Sequence, residues 1–133
     1  MFGLLLTITA CQTSAPTAAV DLPDPEKHFP ALKEGLDEAL LMWQGAQPEQ
    51  AQALLEQTYH AHFELFEAPL RAYGIDPLQI EYDFGRIGWR MRRAPSTRRS
   101  DAEELSGLLL LLEHDIEEAL AALPAATDLH QPR

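Results

Sequence analysis

The stretch DPEKHFPALKEGLDEALLMWQG, residues 24 to 45, reads as one whole helix between its own start and stop signals. Asp24 can offer a side-chain oxygen to the orphan N–H groups of a first turn. Pro25, with its fixed φ, suits the first helical position. Phe29, Leu32, Leu36, Ala39, Leu40 and Trp43 recur every three or four residues, which places them on one helical face. Gly45 lies near the end.

The same grammar recurs three times downstream. Gln47-Pro48 restarts the chain, and Leu55, Tyr59, His62, Phe63, Phe66 and Leu70 form the second apolar stripe, with Gly74 placed as a C′ residue. Asp76-Pro77 opens a third helix, with Ile75 and Ile80 spaced as a hydrophobic staple. Its buried face is Ile80, Phe84, Ile87 and Met91, and Pro95 stops it. Ser100 and Glu103 are spaced as a capping box for a fourth. There Leu105, Leu109, Leu112, Ile116, Leu120 and Leu123 form the stripe, and Pro124 closes it. No period-2 alternation occurs anywhere. Short connections favour antiparallel neighbours, so the expectation is an all-α, up-down-up-down four-helix bundle over residues 24–124. The run Leu108 to Leu112 is apolar almost all round, so the fourth helix is either the most enclosed or uses a second face against a partner.

The N-terminal run MFGLLLTITACQTSAP has no charge, and none falls before Asp21. Ile8-Thr9-Ala10-Cys11 has the form of a bacterial lipobox, with small side chains beside the scissile bond and a thiol to carry lipid. An ordinary signal peptide or a frayed apolar terminus would share some of these features. The segment is too short for a spanning helix of about 20 residues, and it lacks a basic n-region. On the lipobox reading, residues 1–10 are a lipoprotein signal peptide and Cys11 is the acylated first residue. The small-residue segment up to residue 23 is then a tether, and residues 125–133 are a tail. Several acyl chains anchor stably because each buried methylene adds about 0.8 kcal/mol. The expected location is the periplasmic side of a bacterial envelope, and Gln12 favours the outer membrane in a Gram-negative cell.

A length of 133 residues suits one domain, and a single cysteine excludes an intramolecular disulfide. A formal net charge of -11 argues against nucleic acid and suits cations or basic surfaces. Six of the ten basic residues nevertheless fall between Arg86 and Arg99, a window without Asp or Glu. Such a cluster either complements a helix end and its acidic neighbours or docks an acidic partner or phosphate-bearing headgroups. Arg86, Trp89, Arg90 and Arg93 are the contacts expected in the second case, with Tyr82 also turned away from the core stripe.

Carboxylates at the edges of the stripes are the other feature with chemistry in it. At 100° per residue, Glu67 falls on the shoulder of the second helix, near His60 and Glu56. Glu81 takes the corresponding place on the third, and Glu113 and Glu117 on the fourth. Glu67, Glu81 and Glu117 come to similar heights in an antiparallel bundle, with His28 nearby. Carboxylates meeting there would repel and resist ionisation, and a hard cation removes that cost. Pro69 cannot donate to the Leu65 carbonyl, so a kink or break is expected beside Glu67. The Glu-x-x-His signature of di-iron bundles is absent, and His114-Asp115-Ile116-Glu117 has that spacing only in reverse, with His114 facing outward. His62, on the apolar face, reads as a hydrogen-bonded core histidine. No nucleophile–base pair, Gly-rich phosphate loop or haem-attachment motif occurs, so neither catalysis, nucleotide nor haem is expected.

The second helix, with Tyr59, Phe63-Glu64 and Glu67, followed by Phe84-Gly85-Arg86-Ile87, resembles the extracytoplasmic helical domain attached to bacterial ferric-iron permeases. The likeness covers roughly residues 39–123. It implies a periplasmic module near iron uptake, with Glu64 and Glu67 as ligands. The Arg-Glu-x-x-Glu motifs of the permease's membrane helices do not occur in this sequence, so transport itself is not expected of it. Two functions follow. The first is a lipid-anchored module that binds or senses iron or another divalent cation, through Glu64, Glu67, Glu81, Glu113, Glu117 and His60, or assists a metal-uptake membrane protein. The second is a non-metal adaptor docking through Arg86–Arg99.

Overall fold

A computed structural model describes residues 22–95 and 99–125. All its elements are helical: α1 (Pro25–Gln44), α2 (Pro48–Thr58), a π-turn (Tyr59–Phe63), α3 (Glu64–Ala72), α4 (Leu78–Met91) and α5 (Arg99–Ala121). None of the described residues forms a strand, and no helix among them is long and apolar enough to cross a membrane. Cys11, the tether up to residue 21, residues 96–98 and the tail from residue 126 lie outside the described residues.

The start of α1 is as expected, with the Glu26 N–H donating to Asp24 Oδ1 at 3.0 Å. Its end also lies where expected, at Gln44 with Gly45 as the C-cap. Gly45 has a negative φ, and Ala46 takes the left-handed position at φ 59. The N–H of Gln47 reaches back to the Met42 carbonyl at 3.0 Å and closes the helix. Gly74 fills the C′ position expected of it, at φ 75, while the N–H of Ile75 bonds to the Leu70 carbonyl at 2.9 Å. The third helix begins at Leu78 rather than at Pro77. Asp76 still caps it, accepting from the Leu78 N–H at 3.0 Å. Arg99 is already helical, so Ser100 lies inside α5 and is not its N-cap.

The second helix departs most from its pattern. α2 and α3 form one run interrupted by the π-turn, where the Glu64 N–H bonds back to the Tyr59 carbonyl, five residues away. The buried positions therefore step from Thr58 to Phe63 before the ordinary spacing resumes at Phe66 and Leu70. The break expected at Pro69 is not found, since α3 runs through it to Ala72. Phe66 and Leu70 flank Pro69 and are wholly buried. Burial stabilises each by roughly 1.5–3 kcal/mol, enough to offset the ~3 kcal/mol of a proline inside a helix.

One core joins all the elements. Leu32, Leu36, Phe63, Phe66, Leu70, Ile87, Met91, Leu105, Leu112 and Ile116 are its most enclosed side chains. α1 packs on α2, the π-turn and α5, and α4 packs on α2 and α5. Gly35 makes one of these approaches close: a Cβ there would lie 2.3 Å from Thr58 Oγ1. Trp43 Nε1 donates to the Arg93 carbonyl at 2.7 Å and ties the end of α1 to the end of α4. In the leucine run, Leu109 and Leu112 are buried, whereas Leu110 and Leu111 are 64% and 50% exposed. The helix is thus not enclosed all round.

Candidate functional site

The π-turn and the start of α3 turn Tyr59 and Glu67 toward α4. The Tyr59 hydroxyl donates to Glu67 Oε1. The Arg71 guanidinium lies between two carboxylates, with Nη1 at 3.5 Å from Glu67 Oε2 and Nη2 at 2.6 Å from Glu81 Oε1. Two of the shoulder carboxylates therefore do meet across the turn between α3 and α4. The positive charge that their meeting demands is supplied by the chain's own arginine. Burial raises the Tyr59 phenol well above its ordinary pKa, and the hydrogen bond to Glu67 and the charges of Glu67, Glu81 and Glu64 add to the shift. The phenol is held protonated beside a pair of carboxylates.

Tyr59 and Glu81 also line a cleft of about 430 Å³ between α2, the π-turn and α4. Its apolar side is built by Leu55 and Phe84, and Trp89 stands at its rim. Gly88 faces Leu55, and a Cβ on it would stand only 3.5 Å from Leu55 Cδ2, so the missing side chain deepens the cleft.

Of the other expected ligands, Glu113 and Glu117 lie apart from this group, while His60 lines the same cleft beside Tyr59 and Glu64 lies close enough for its charge to act on the phenol. His60 and Glu64 face solvent and pair with each other, Nδ1 to Oε2 at 2.9 Å, with Glu56 at 3.9 Å on the other ring nitrogen. Glu117 is exposed in a groove against the first turns of α1, beside Glu26, Phe29 and Pro30. It occupies the shoulder of α5 facing α1, while Glu67 and Glu81 meet on the side facing α4. Equal heights along the helices did not bring them to one point. Among the described residues, no three His, Cys, Asp or Glu side chains are grouped so as to hold a metal ion.

Glu113 is buried on α5, with Asp37 and Lys33 of α1 as its charged neighbours. Burial raises its carboxyl pKa above the ordinary 4.5, Asp37 adds to the rise and Lys33 opposes it. A carboxyl raised in the folded state stabilises most below its unfolded pKa and loses that contribution as pH rises. Glu113→Gln is therefore expected to raise the melting temperature at pH 7, with the gain shrinking as pH falls toward 4.5. Thermal melts of both proteins across that range check this; a gain that grows toward acid would contradict it.

His28 and His62 pair across α1 and the π-turn, Nδ1 to Nδ1 at 3.1 Å, so one ring must be neutral to accept. Burial lowers the pKa of His62, and His28 lowers it further. His62 is half-buried rather than a core residue, and its partner is the other histidine.

Three arginines of the cluster are engaged by the chain's own acids. Arg86 Nη2 lies 3.3 Å from the buried Asp83 Oδ1, and Arg90 Nη1 lies 2.8 Å from Glu104 Oε1. Arg99 pairs with Glu103 at 3.0 Å. Arg93 sits over the Trp89 ring at 5.8 Å from its centroid. Tyr82 and Trp89 are 63% and 59% exposed.

Sequence reasoning missed three participants. Tyr59 read as a core residue because eight residues separate it from Glu67, beyond the reach of the i, i+4 rule. Arg71 to Glu67 is an i, i+4 pair and was legible, whereas Arg71 to Glu81 crosses a turn and was not. Asp83 stands three residues after Ile80 and four before Ile87, on the buried face of α4, and its spacing could have marked it.

Comparison with family models, characterised proteins and solved structures finds no match to this chain.

Proposed function

We propose that this chain is a helical module that binds a hard cation at Tyr59, Glu67 and Glu81, with iron(III) the best fit to a phenol and two carboxylates. The observation that carries the reading is the meeting of Glu67 and Glu81 at Arg71, with the Tyr59 hydroxyl donating to Glu67. Oxygen donors of this kind favour hard ions. Arg71 is about half exposed, so its guanidinium can swing out and give its place to a cation. A cation of higher charge also inverts the electrostatics at Tyr59: next to it, the phenolate becomes the favoured form. The likeness of the Tyr59 to Glu67 segment to the ferric-iron permease domain supports the same metal.

In this reading the helices form an up-down-up-down bundle. The His28–His62 and Trp43–Arg93 pairs support it, as does the groove that joins Pro25 to Leu120. The lipobox at Cys11 would hold the module at a membrane surface on the periplasmic side, where it would pass a cation to, or sense it for, an uptake system. The adaptor reading has less support, because Arg86 and Arg90 already have acidic partners within the chain.

Calorimetric titration with iron(III) nitrilotriacetate tests the proposal. Wild type is expected to release binding heat at one site, and Glu67→Ala/Glu81→Ala to lose it. Equal heats from the two proteins would refute the site.

A further inference from the structure

Leu78, Tyr82, Gly85 and Trp89 follow one another on α4 at steps of four, three and four residues. At 100° per residue they fall within an arc of about 60°. This is the spacing of a helix seam, yet it stays open among the described residues, with the Arg93 guanidinium over the Trp89 ring: Leu78, Tyr82 and Trp89 are 60%, 63% and 59% exposed. At its centre, Gly85 has no heavy atom within 4 Å of where a Cβ would stand. Three large apolar or aromatic side chains in one stripe, with a bare backbone in the middle, make an unpartnered face.

We propose that this face pairs with the same face of a second copy of the chain, antiparallel, with the two α4 helices crossing at Gly85. The charge along α4 selects both the occupant and its direction. Asp76 lies at the N-terminal end and Arg92 and Arg93 at the C-terminal end, whereas Glu81 and Arg90 are already paired with Arg71 and Glu104 and are left out of the balance. A two-fold axis at Gly85 sets each acidic end against the other copy's arginine end. A parallel pairing would set arginine on arginine. At about 1.5 Å per residue, Leu78 comes level with the partner's Arg92, and Trp89 with the partner's Glu81. Tyr82, about 4.5 Å from the axis, then stacks beside the partner's Trp89, about 6 Å from it. Each Tyr82 thereby reaches the rim of the other copy's cleft, where Trp89 stands. The glycine at the crossing lets the two backbones approach closely, as small residues do at helix crossings. The face is self-complementary, as a two-fold interface requires. The inference does not depend on cation binding.

The test uses the full chain with Cys11→Ser, so that one introduced thiol is the only one present. Gly85→Cys places a thiol at the proposed axis. Gly107→Cys on α5, which is also exposed and has nothing within 4 Å of its Cβ position, is the control. Because an interface holds two thiols at a high effective concentration, Gly85→Cys is expected to form the intermolecular disulfide at least about tenfold faster than the control under mild oxidant. Adding Trp89→Glu to Gly85→Cys should slow it to the control rate, and wild type should double its mass in sedimentation as concentration rises. Equal rates for the two cysteine positions, or a fast rate that Trp89→Glu leaves unchanged, would overturn the proposal. A wild type that stays monomeric at all concentrations would overturn it too and leave the face to an unlike partner.

Discussion

Gly35→Leu is expected to part α1 from the second helix and abolish cooperative folding, and Gly35→Ala to lower stability by up to about 2 kcal/mol. Two effects compete in the alanine variant. Removing a glycine from a helix interior favours the fold by about 1 kcal/mol. The new Cβ, however, would sit 2.3 Å from Thr58 Oγ1 and 2.8 Å from Thr58 Cγ2. Overpacking of that kind costs about 1–3 kcal/mol, and Thr58 cannot easily yield because it is buried one residue before the π-turn. The clash wins. Thr58→Ala removes the two nearest atoms and leaves only the Cβ, at 3.1 Å. The double variant Gly35→Ala/Thr58→Ala should therefore recover stability relative to the sum of the single changes, with a coupling of about 0.5–3 kcal/mol. Urea denaturation of the four proteins measures it. A Gly35→Ala midpoint above wild type would mean that propensity dominates and that the helices do not approach this closely.

Arg71→Ala is expected to destabilise the cation-free protein and to tighten cation binding, two effects of opposite sign from one change. Glu67 and Glu81 side chains are only 17% and 25% exposed, so loss of the guanidinium leaves two partly desolvated carboxylates facing each other. In the proposed cycle Arg71 competes with the cation. A charge-assisted hydrogen bond is worth about 1.5–3 kcal/mol. Arg71's exposure puts its contacts at the low end of that range, so removing the competitor should lower the dissociation constant about tenfold. If the three side chains are only a surface ion pair, Arg71→Ala weakens the fold and leaves cation affinity unchanged. Calorimetry and thermal melts on the same samples separate the two accounts.

Most of the framework was legible because its signals are local. Asp24 before Pro25, Gly74 at a positive φ and the stripes of α4 and α5 each depend on neighbours within a turn or two. The π-turn was not legible. Leu55, Tyr59, Phe63, Phe66 and Leu70 fit an ordinary helix, and only packing against α1 at Gly35 and His28 distinguishes the inserted turn. The candidate site was half legible for a related reason. Helical phase located Glu67 and Glu81 on the correct shoulders, but it could not say which neighbouring helix each shoulder faces. Glu117 was drawn into the same group by its shoulder position and height, and Glu113 by its shoulder position, and they face α1. Arg71 as the counter-charge to both carboxylates depends on a contact between α3 and α4 that no spacing encodes.

The phenol gives the central claim its most direct readout, because a phenolate bound to iron(III) produces a visible charge-transfer band that carboxylates alone do not. Titrating the full chain with iron(III) nitrilotriacetate at neutral pH should generate this band in wild type and in Tyr73→Phe, and Tyr59→Phe should abolish it. Absence of the band in wild type, or its persistence in Tyr59→Phe, would contradict a cation site built on Tyr59, Glu67 and Glu81.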